Sequence, residues 1–335
     1  MNNINSTNGN PTTETPIVGM QCYAQPFDTV IHSDFLNNNL PDKCANLIIA
    51  DPPYFEVKGD FDFVWNSFED YLKDVEKWAI ECKRLLADNG TLFWYGSSKR
   101  IAYAQIIFDK HFNLINNLVW NKGSFMGLEE SEGLRSFAPC TERILMYSNY
   151  NYNEEKGFAT IKIKEYLQSI ITSKELQKIL LDNNICSNKA SAVTVAASKL
   201  NYKTTRHDFI QEEIYNLIDK PKIKYSELVS IYNDEIRFFN NYFKLQEIIS
   251  YGNEATKTGA KYEHDTVKPE TLTRALILTC SRKNDLVVVP FAGSGTEVAM
   301  SIKEGRKAIG FDIEKKYVDM SNKRIKSFKD APTLF

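Results

Sequence analysis

The chain has 335 residues, of which 43% are hydrophobic and 25% charged, as expected for one large α/β domain with an insertion, or for two domains. Its net charge of −2 at pH 7 excludes a uniformly basic protein, so nucleic-acid binding would require a locally positive face. No run of about 18 apolar residues and no basic, apolar N-terminal start is present, so we predict neither a membrane span nor a secretory signal. The six cysteines and four histidines are scattered without C-x-x-C spacing, which favours reduced thiols in the cytoplasm and no metal site.

The chain begins with a polar segment and then alternates apolar strands with amphipathic helices. Residues 1–16 are rich in Asn and Thr, and we expect a disordered tail. Ser67 followed by Asp70 predicts a helix start, and Asp88-Asn89-Gly90 predicts the end of that helix. Strands are predicted at 46–50, 91–95, 114–120, 143–147, 286–289 and 308–311. The alternation predicts an α/β fold with a mostly parallel sheet and helices on both faces.

The alternation stops between residues 151 and 262, where the pattern predicts a helical insertion with polar connections. Between Asn183 and His207 there is no acidic residue, although four basic residues lie there: Lys189, Lys199, Lys203 and Arg206. One interpretation is a helix-turn-helix segment whose basic side chains contact DNA phosphates. The other is a solvated helical insertion with a basic edge, and the pattern alone leaves both open.

The tetrapeptide Asp51-Pro52-Pro53-Tyr54 follows the apolar run Leu47–Ala50, which reads as a buried parallel strand. It therefore lies at the carboxyl end of a strand, where open α/β sheets bind their ligands. The prolines stiffen this corner and keep their carbonyl acceptors, while a carboxylate and an aromatic ring stand at its two ends. Such a corner suits an exocyclic amino group on a flat ring. The alternative is a plain turn in which Tyr54 only packs.

A second motif, Pro290-Phe291-Ala292-Gly293-Ser294-Gly295-Thr296, lies between the strand at 286–289 and a helix. Its glycines allow a tight turn and close approach of a ligand to the backbone, but the third glycine of a dinucleotide site is missing. Asp312 ends the next strand, at the place where a carboxylate can accept hydrogen bonds from ribose hydroxyls. The spacing predicts nucleoside binding, and the alternative is a helix start with a chance acidic residue.

In this order, the two motifs resemble those of the β-class DNA amino-methyltransferases, which use S-adenosylmethionine. The resemblance implies that residues 51–54 are catalytic, that 290–296 form the cofactor loop and that 151–262 recognise the target. It also implies that 17–150 and 263–330 form a circularly permuted Rossmann-like catalytic domain. Three further positions match cofactor-binding residues of the family, and Asp51 itself is expected to contact the cofactor: Asp34, Lys268 and Asp312. Double-stranded DNA is the implied partner, and a homodimer is a further expectation.

Aspartate at the first catalytic position is typical of the family's adenine N6 enzymes, whereas its cytosine N4 enzymes more often have serine. The resemblance implies a flipped adenine stacked on Tyr54, with Asp51 and the Pro52 carbonyl accepting the two N6 hydrogens. Two residues depart from the family pattern: Val289 replaces an aspartate, and Glu297 replaces a smaller residue. Cytosine N4 methylation, RNA adenine methylation and a non-catalytic DNA-binding subunit therefore stay open as alternatives.

Overall fold

The computed structural model describes residues 26–55, 64–123, 137, 140–149, 163–200, 210–220, 223–235, 237–251 and 267–329. Eight strands form one sheet: β1 Thr29–His32, β2 Ala45–Ala50, β3 Leu86–Ser97, β4 Asn113–Asn121, β5 Thr141–Ser148, β6 Ile248–Ser250, β7 Leu286–Val289 and β8 Lys307–Asp312. Their order in the sheet is β1-β8-β7-β2-β3-β5-β4-β6. Only β5 pairs antiparallel with its neighbours β3 and β4 among these strands, so the mostly parallel sheet is confirmed.

Helices pack on both faces of this sheet, as predicted. Helices α1 Phe68–Leu85 and α2 Ile101–Phe108 cover one face, while α8 Glu270–Cys280, α9 Thr296–Lys303 and α10 Lys315–Lys329 cover the other. The side chains of β2 divide between the two faces. Ile48 and Ala50 pack into the hydrophobic core beneath α1 and α2, called the first core. Leu47 and Ile49 pack into the core beneath α8, α9 and α10, called the second core. This division follows from the two-residue period of a strand, and it explains why β2 is apolar throughout.

The predicted start of α1 is confirmed, but its predicted end is wrong. The Ser67 hydroxyl accepts the backbone N–H of Asp70 at 3.1 Å, which caps the helix. The helix ends at Leu85, and β3 follows directly, so residues 88–90 lie within a strand. The β2–β3 pairing shifts between Ala45 and Leu47, which accommodates this segment. Gly90 suits the irregularity, because a Cβ there would lie 3.0 Å from the Ala45 carbonyl oxygen.

The predicted helices between residues 151 and 262 are present. Residues 163–170 form α3. The others are α4 Ser173–Asp182, α5 Lys189–Leu200, α6 Glu212–Asn216 and α7 Tyr225–Glu235. They share a core of their own, which includes Leu167, Leu176, Ile214 and Leu228. No helix within the described ranges is both long enough and apolar enough to span a membrane.

One element of this region was not predicted. Strand β6 pairs in parallel with β4 and extends the sheet, with Ile249 buried opposite Trp120. The indole N–H of Trp120 donates to the backbone carbonyl of Tyr251 at 3.0 Å, which fixes the end of β6. A three-residue strand is too short for a periodic signal. The proposed tail, residues 1–16, lies outside the described residues, and the domain boundaries stay predictions.

Candidate active site

The sheet brings the two predicted motifs to the same edge. Strand β2 lies beside β7, with Ile48 paired with Val288, and β8 lies on the other side of β7. The strands run parallel, so Asp51, the loop 290–296 and Asp312 all leave the sheet at its carboxyl edge. This is where a doubly wound sheet opens a crevice for ligands.

Among the described residues, each oxygen of the Asp51 carboxylate faces a donor. The Tyr54 hydroxyl donates to Oδ1 at 2.6 Å, and Lys268 Nζ lies 2.5 Å from Oδ2. Pro52 is buried and Pro53 is half-buried, so the corner is held by packing as well as by its fixed φ angles. Burial raises the pKa of the Asp51 carboxyl, although the Lys268 ammonium opposes this rise. Burial and the nearby Asp51 charge also raise the pKa of Tyr54 well above its ordinary value, so its hydroxyl keeps its proton.

Lys268 lies at the centre of a buried ionic network. Its ammonium is 5.8 Å from the Tyr54 ring centroid, 5.2 Å from that of Tyr95 and 5.9 Å from that of Trp120. It also lies 3.5 Å from Glu142, a half-buried carboxylate on β5. Burial alone would lower the lysine's pKa, but Asp51 and Glu142 outweigh it and raise that pKa. Lys268 is therefore a buried cation surrounded by aromatic rings and carboxylates.

Glu142 and Tyr95 are site residues that our prediction missed. Glu142 Oε1 pairs with Lys122 Nζ at 2.6 Å. Burial raises the pKa of Glu142, but Lys268 and Lys122 together outweigh that effect and lower it. The Tyr95 hydroxyl is buried and has no hydrogen-bond partner within the described residues. Both side chains lie at strand ends on the ligand edge, and that position is the signal by which they could have been found.

The glycine loop is anchored to β8 and α10. The Gly293 N–H donates to Asp312 Oδ2 at 2.8 Å, and the Ser321 hydroxyl donates to the Gly293 carbonyl at 2.8 Å. Gly295 has φ +72°, and a Cβ there would lie 2.7 Å from Ser321 Cβ. Only glycine fits both conditions without strain. Burial raises the pKa of Asp312, while the N–H groups of Gly293 and Glu314 oppose that rise.

Arg324 is a second anchor of this loop, and it was not predicted. Its Nη1 donates to the Ser294 carbonyl at 3.2 Å and to Thr296 Oγ1 at 2.8 Å. Its Nη2 pairs with Glu270 at 2.7 Å, which ties the loop to α8 as well. The Ser294 and Thr296 hydroxyls lie 3.1 Å apart. Three elements thus hold the turn in one conformation before any ligand binds.

Phe291 packs into an aromatic cluster beneath the loop. Its ring meets Trp78 edge-on at 4.9 Å and lies 6.3 Å from Phe35 and 6.1 Å from Trp94. The two other loop positions, Pro290 and Ala292, are buried where β7 enters the turn. The aromatic cluster therefore supports the loop from the side of the first core.

Asp34 lies just beyond the end of β1, and β1 pairs with β8 through His32 and Asp312. Its side chain is exposed and accepts the Leu36 N–H at 2.9 Å, so it caps a short 3₁₀ turn at Phe35–Asn37. Asp34 therefore lies at the same edge as the loop. It caps a turn and its side chain is still accessible to solvent.

Two of the four proposed DNA contacts, Lys189 and Lys199, lie within the described residues. Lys189 is exposed at the first position of α5. Lys199 is only 5% exposed, because it follows Ala192 and Ala196 on the buried side of α5. A phosphate contact from Lys199 is therefore wrong for the conformation described. Lys203 and Arg206 lie outside the described residues.

The ionisable groups at this edge are unbalanced. The carboxylates of Asp51 and Glu142, which are half-buried, and of Glu297, which is buried, lie in one charged cluster with two lysines, Lys268 and Lys122. Among the residues that the structure describes, no cluster of His, Cys, Asp or Glu is suited to a metal ion.

The fold and the edge together define an α/β protein in which an anchored glycine loop lies beside an acidic-aromatic corner. Comparison with known families gives the class: residues 45–323 match the DNA methylase family, and the chain belongs to it. The protein is a DNA methyltransferase.

Individual relatives have low sequence identity to this chain but align with most of its length. The Type II methyltransferase M.HinfI of Haemophilus influenzae is 25% identical over 91% of this chain and 70% of its own length. The DNA adenine methyltransferase YhdJ of Escherichia coli K12 is 25% identical over 89% of this chain and 82% of its own length.

Solved structures share the fold. The putative DNA modification methylase TTHA0409 from Thermus thermophilus, complexed with S-adenosyl-L-methionine, has a TM-score of 0.50 at 17% identity, covering 91% of this chain and 97% of its own. The cytosine-N4-specific PvuII DNA methyltransferase has a TM-score of 0.52 at 13% identity, covering 91% and 87%.

Proposed function

We propose that the chain transfers a methyl group from S-adenosylmethionine to N6 of an adenine flipped out of double-stranded DNA. The observation that carries this proposal is the corner at residues 51–54, where a half-buried carboxylate and an aromatic side chain stand beside a rigid glycine loop. A carboxylate and a carbonyl can accept both hydrogens of an amino group, and the ring offers a stacking surface.

Adenine is favoured over cytosine by the first residue of the corner. In the family that the chain resembles, aspartate at this place accompanies adenine N6 transfer more often than cytosine N4 transfer. The E. coli relative is named a DNA adenine methyltransferase, which agrees with Asp51. The likeness to the cytosine-N4-specific enzyme is at 13% identity and concerns the fold alone.

The residues present fit S-adenosylmethionine. The turn at Gly293–Gly295 allows close approach to the backbone, and Asp312 at the end of β8 can accept ribose hydroxyls. Asp34 is accessible at the same edge, and the excess of buried carboxylate suits a cationic ligand. The cofactor supplies an electrophilic methyl group when it is bound.

The chain's own residues orient the target and move its proton. Tyr54 stacks on the flipped ring, while Asp51 and the Pro52 carbonyl accept the two N6 hydrogens and direct the nitrogen lone pair. Asp51 Oδ2 already pairs with a nitrogen cation, Lys268 Nζ, at 2.5 Å, so this oxygen accommodates a nitrogen donor. When the target amine takes this position, Lys268 remains paired with Glu142. Burial raises the pKa of the Asp51 carboxyl, and this group accepts the proton that N6 loses.

The proposal extends to the region that recognises the target and to the cellular compartment. The helices between residues 163 and 235 have their own core, and we assign target recognition to this region, with Lys189 exposed for phosphate contact. The five cysteines of the described residues are free thiols, which agrees with a reducing cytoplasm. The homodimer implied by the resemblance stays a prediction.

The test is to incubate the protein with labelled S-adenosylmethionine and unmethylated DNA, digest the DNA to nucleosides and identify the labelled base. We expect label in N6-methyladenine from the wild type, and none from Asp51→Asn with its folding verified by circular dichroism. Asp88→Asn is the matched control, because Asp88 is exposed, pairs with Lys43 and lies near the opposite end of β3. Label in N4-methylcytosine, or full activity of folded Asp51→Asn, would refute the proposal.

A further inference from the structure

Glu297 is a buried carboxylate that the catalytic scheme does not use. It is the second residue of α9, directly after the glycine loop, and its residue exposure is 5%. Its Oε1 atom has no hydrogen-bond partner among the described residues. A buried acceptor without a donor is costly for a folded protein, and such atoms commonly mark a place where a ligand donates.

Within the described ranges, the cations that act on Glu297 are already engaged with other carboxylates. The charged groups that act on it are Asp51, Lys268 and Arg324, together with its own backbone N–H. Lys268 is committed to Asp51 at 2.5 Å, and Arg324 is committed to Glu270 at 2.7 Å. The Tyr95 hydroxyl, which Glu297 also influences, has no partner of its own in the described part of the chain.

The position of Glu297 coincides with a substitution elsewhere in the same motif. Val289 ends β7 and is 1% exposed, in the place where the family that this chain resembles has an aspartate. The glycine loop begins directly after Val289 and leads into the helix that carries Glu297. Relative to the pattern that the chain resembles, the carboxylate stands at the other end of the loop, at Glu297 instead of position 289.

We propose that the Glu297 carboxylate binds the α-ammonium group of S-adenosylmethionine, in place of the carboxylate missing at Val289. This inference rests on the proposed function. The cofactor has two cationic centres, but only the ammonium has N–H groups to donate to an unpartnered oxygen, because the sulfonium has none. Lys268 lies in the same charged cluster, where the charges of Asp51, Glu142 and Glu297 act on it.

The test measures binding rather than catalysis. Titration calorimetry would compare S-adenosylhomocysteine, which keeps the ammonium but has no sulfonium, with an analogue in which hydrogen replaces that ammonium. A charged hydrogen bond in a buried site supports a preference of about 10- to 100-fold for the compound with the ammonium. In Glu297→Gln the affinity for S-adenosylhomocysteine falls by at least about 10-fold, while the affinity for the analogue stays within about 2-fold.

Two further variants sharpen the comparison. Asp285→Asn is the matched control, because this partly buried carboxyl lies at the opposite end of β7 and should leave both affinities unchanged. In Val289→Asp/Glu297→Gln the carboxylate returns to the other end of the loop, and we expect the preference for the ammonium to return with it. Equal binding of both compounds by the wild type overturns the inference without any variant. So does an equal loss of both in Glu297→Gln.

These outcomes separate the inference from the proposed function. If the wild type methylates adenine but does not distinguish the two compounds, the proposed function stands and the role of Glu297 is wrong. If the wild type binds neither compound and transfers no methyl group, both proposals fail together.

Discussion

The buried Glu297 carboxyl should make the free protein less stable as the pH rises. Burial, and then the charge of Asp51, raise its pKa from the ordinary 4.5 to about 7. A carboxyl with a higher pKa in the folded chain binds its proton more tightly there than in the unfolded chain. The free energy of unfolding therefore falls as the pH rises from 4.5 to about 7 and has no further contribution from this group above that range.

The size of the effect follows from the two pKa values. One pKa unit corresponds to about 1.4 kcal/mol, so a rise from 4.5 to about 7 amounts to about 3 kcal/mol. Glu297→Gln keeps the shape of the side chain but has no proton to lose. Relative to the wild type, its free energy of unfolding should increase by about 3 kcal/mol between about pH 4.5 and pH 8.

Urea unfolding of both proteins, followed by circular dichroism across this pH range, measures the difference. Glu213→Gln is the control, because Glu213 is exposed on α6, and the curve of this variant should follow that of the wild type. A constant difference between Glu297→Gln and the wild type from about pH 4.5 to 8 would refute the reasoning, since it would mean that the carboxyl ionises equally easily in the folded and unfolded chains. Saturating S-adenosylhomocysteine should remove most of the wild type's disadvantage, because ligand binding favours the ionised form.

Two other substitutions test the loop and the ionic network. Gly295→Ala should destabilise the fold by more than Gly123→Ala in thermal unfolding, because both glycines have positive φ but only Gly295 faces Ser321, at 2.7 Å. Equal losses of stability in the two variants would show that backbone strain alone, and not contact with Ser321, determines the effect. Lys268→Met leaves the Asp51 and Glu142 carboxylates buried without their shared cation, so we expect a loss of about 3 kcal/mol or more at about pH 8. That loss should shrink at about pH 5 as the carboxyls take up protons, and a pH-independent loss in urea unfolding would contradict the assignment.

The parts of the fold that could be predicted are those in which sequence neighbours decide the structure. Strand β2 is apolar throughout because both of its faces are buried, and the corner at Asp51 follows it directly. The helix start at Ser67 depends on a hydrogen bond to a residue only three positions away. Pairings between distant segments could not be predicted. Strand β6, for example, has three residues and no periodicity, and it is defined by pairing with β4.

The same distinction applies to the site. The motif residues were predicted, but Glu142, Tyr95 and Arg324 were not, because each is defined by what lies opposite it in space. Lys199 shows the reverse error. A basic run in sequence indicated a charged surface, whereas the helix turned this side chain inwards among small residues.

The ionic network explains how one edge of the sheet can serve two ligands. In the free protein, Lys268 occupies the Asp51 oxygen that the target amine needs, while Glu297 has an oxygen without a partner among the described residues. A second cation at Glu297 would add positive charge to this cluster of carboxylates. The Asp51 carboxylate would then depend less on Lys268 for the compensation of its charge. Binding of the cationic cofactor would thereby make the acceptor at Asp51 available to the base. The order that follows is cofactor first and target base second. It would be contradicted if the flipped base bound equally tightly with and without S-adenosylhomocysteine.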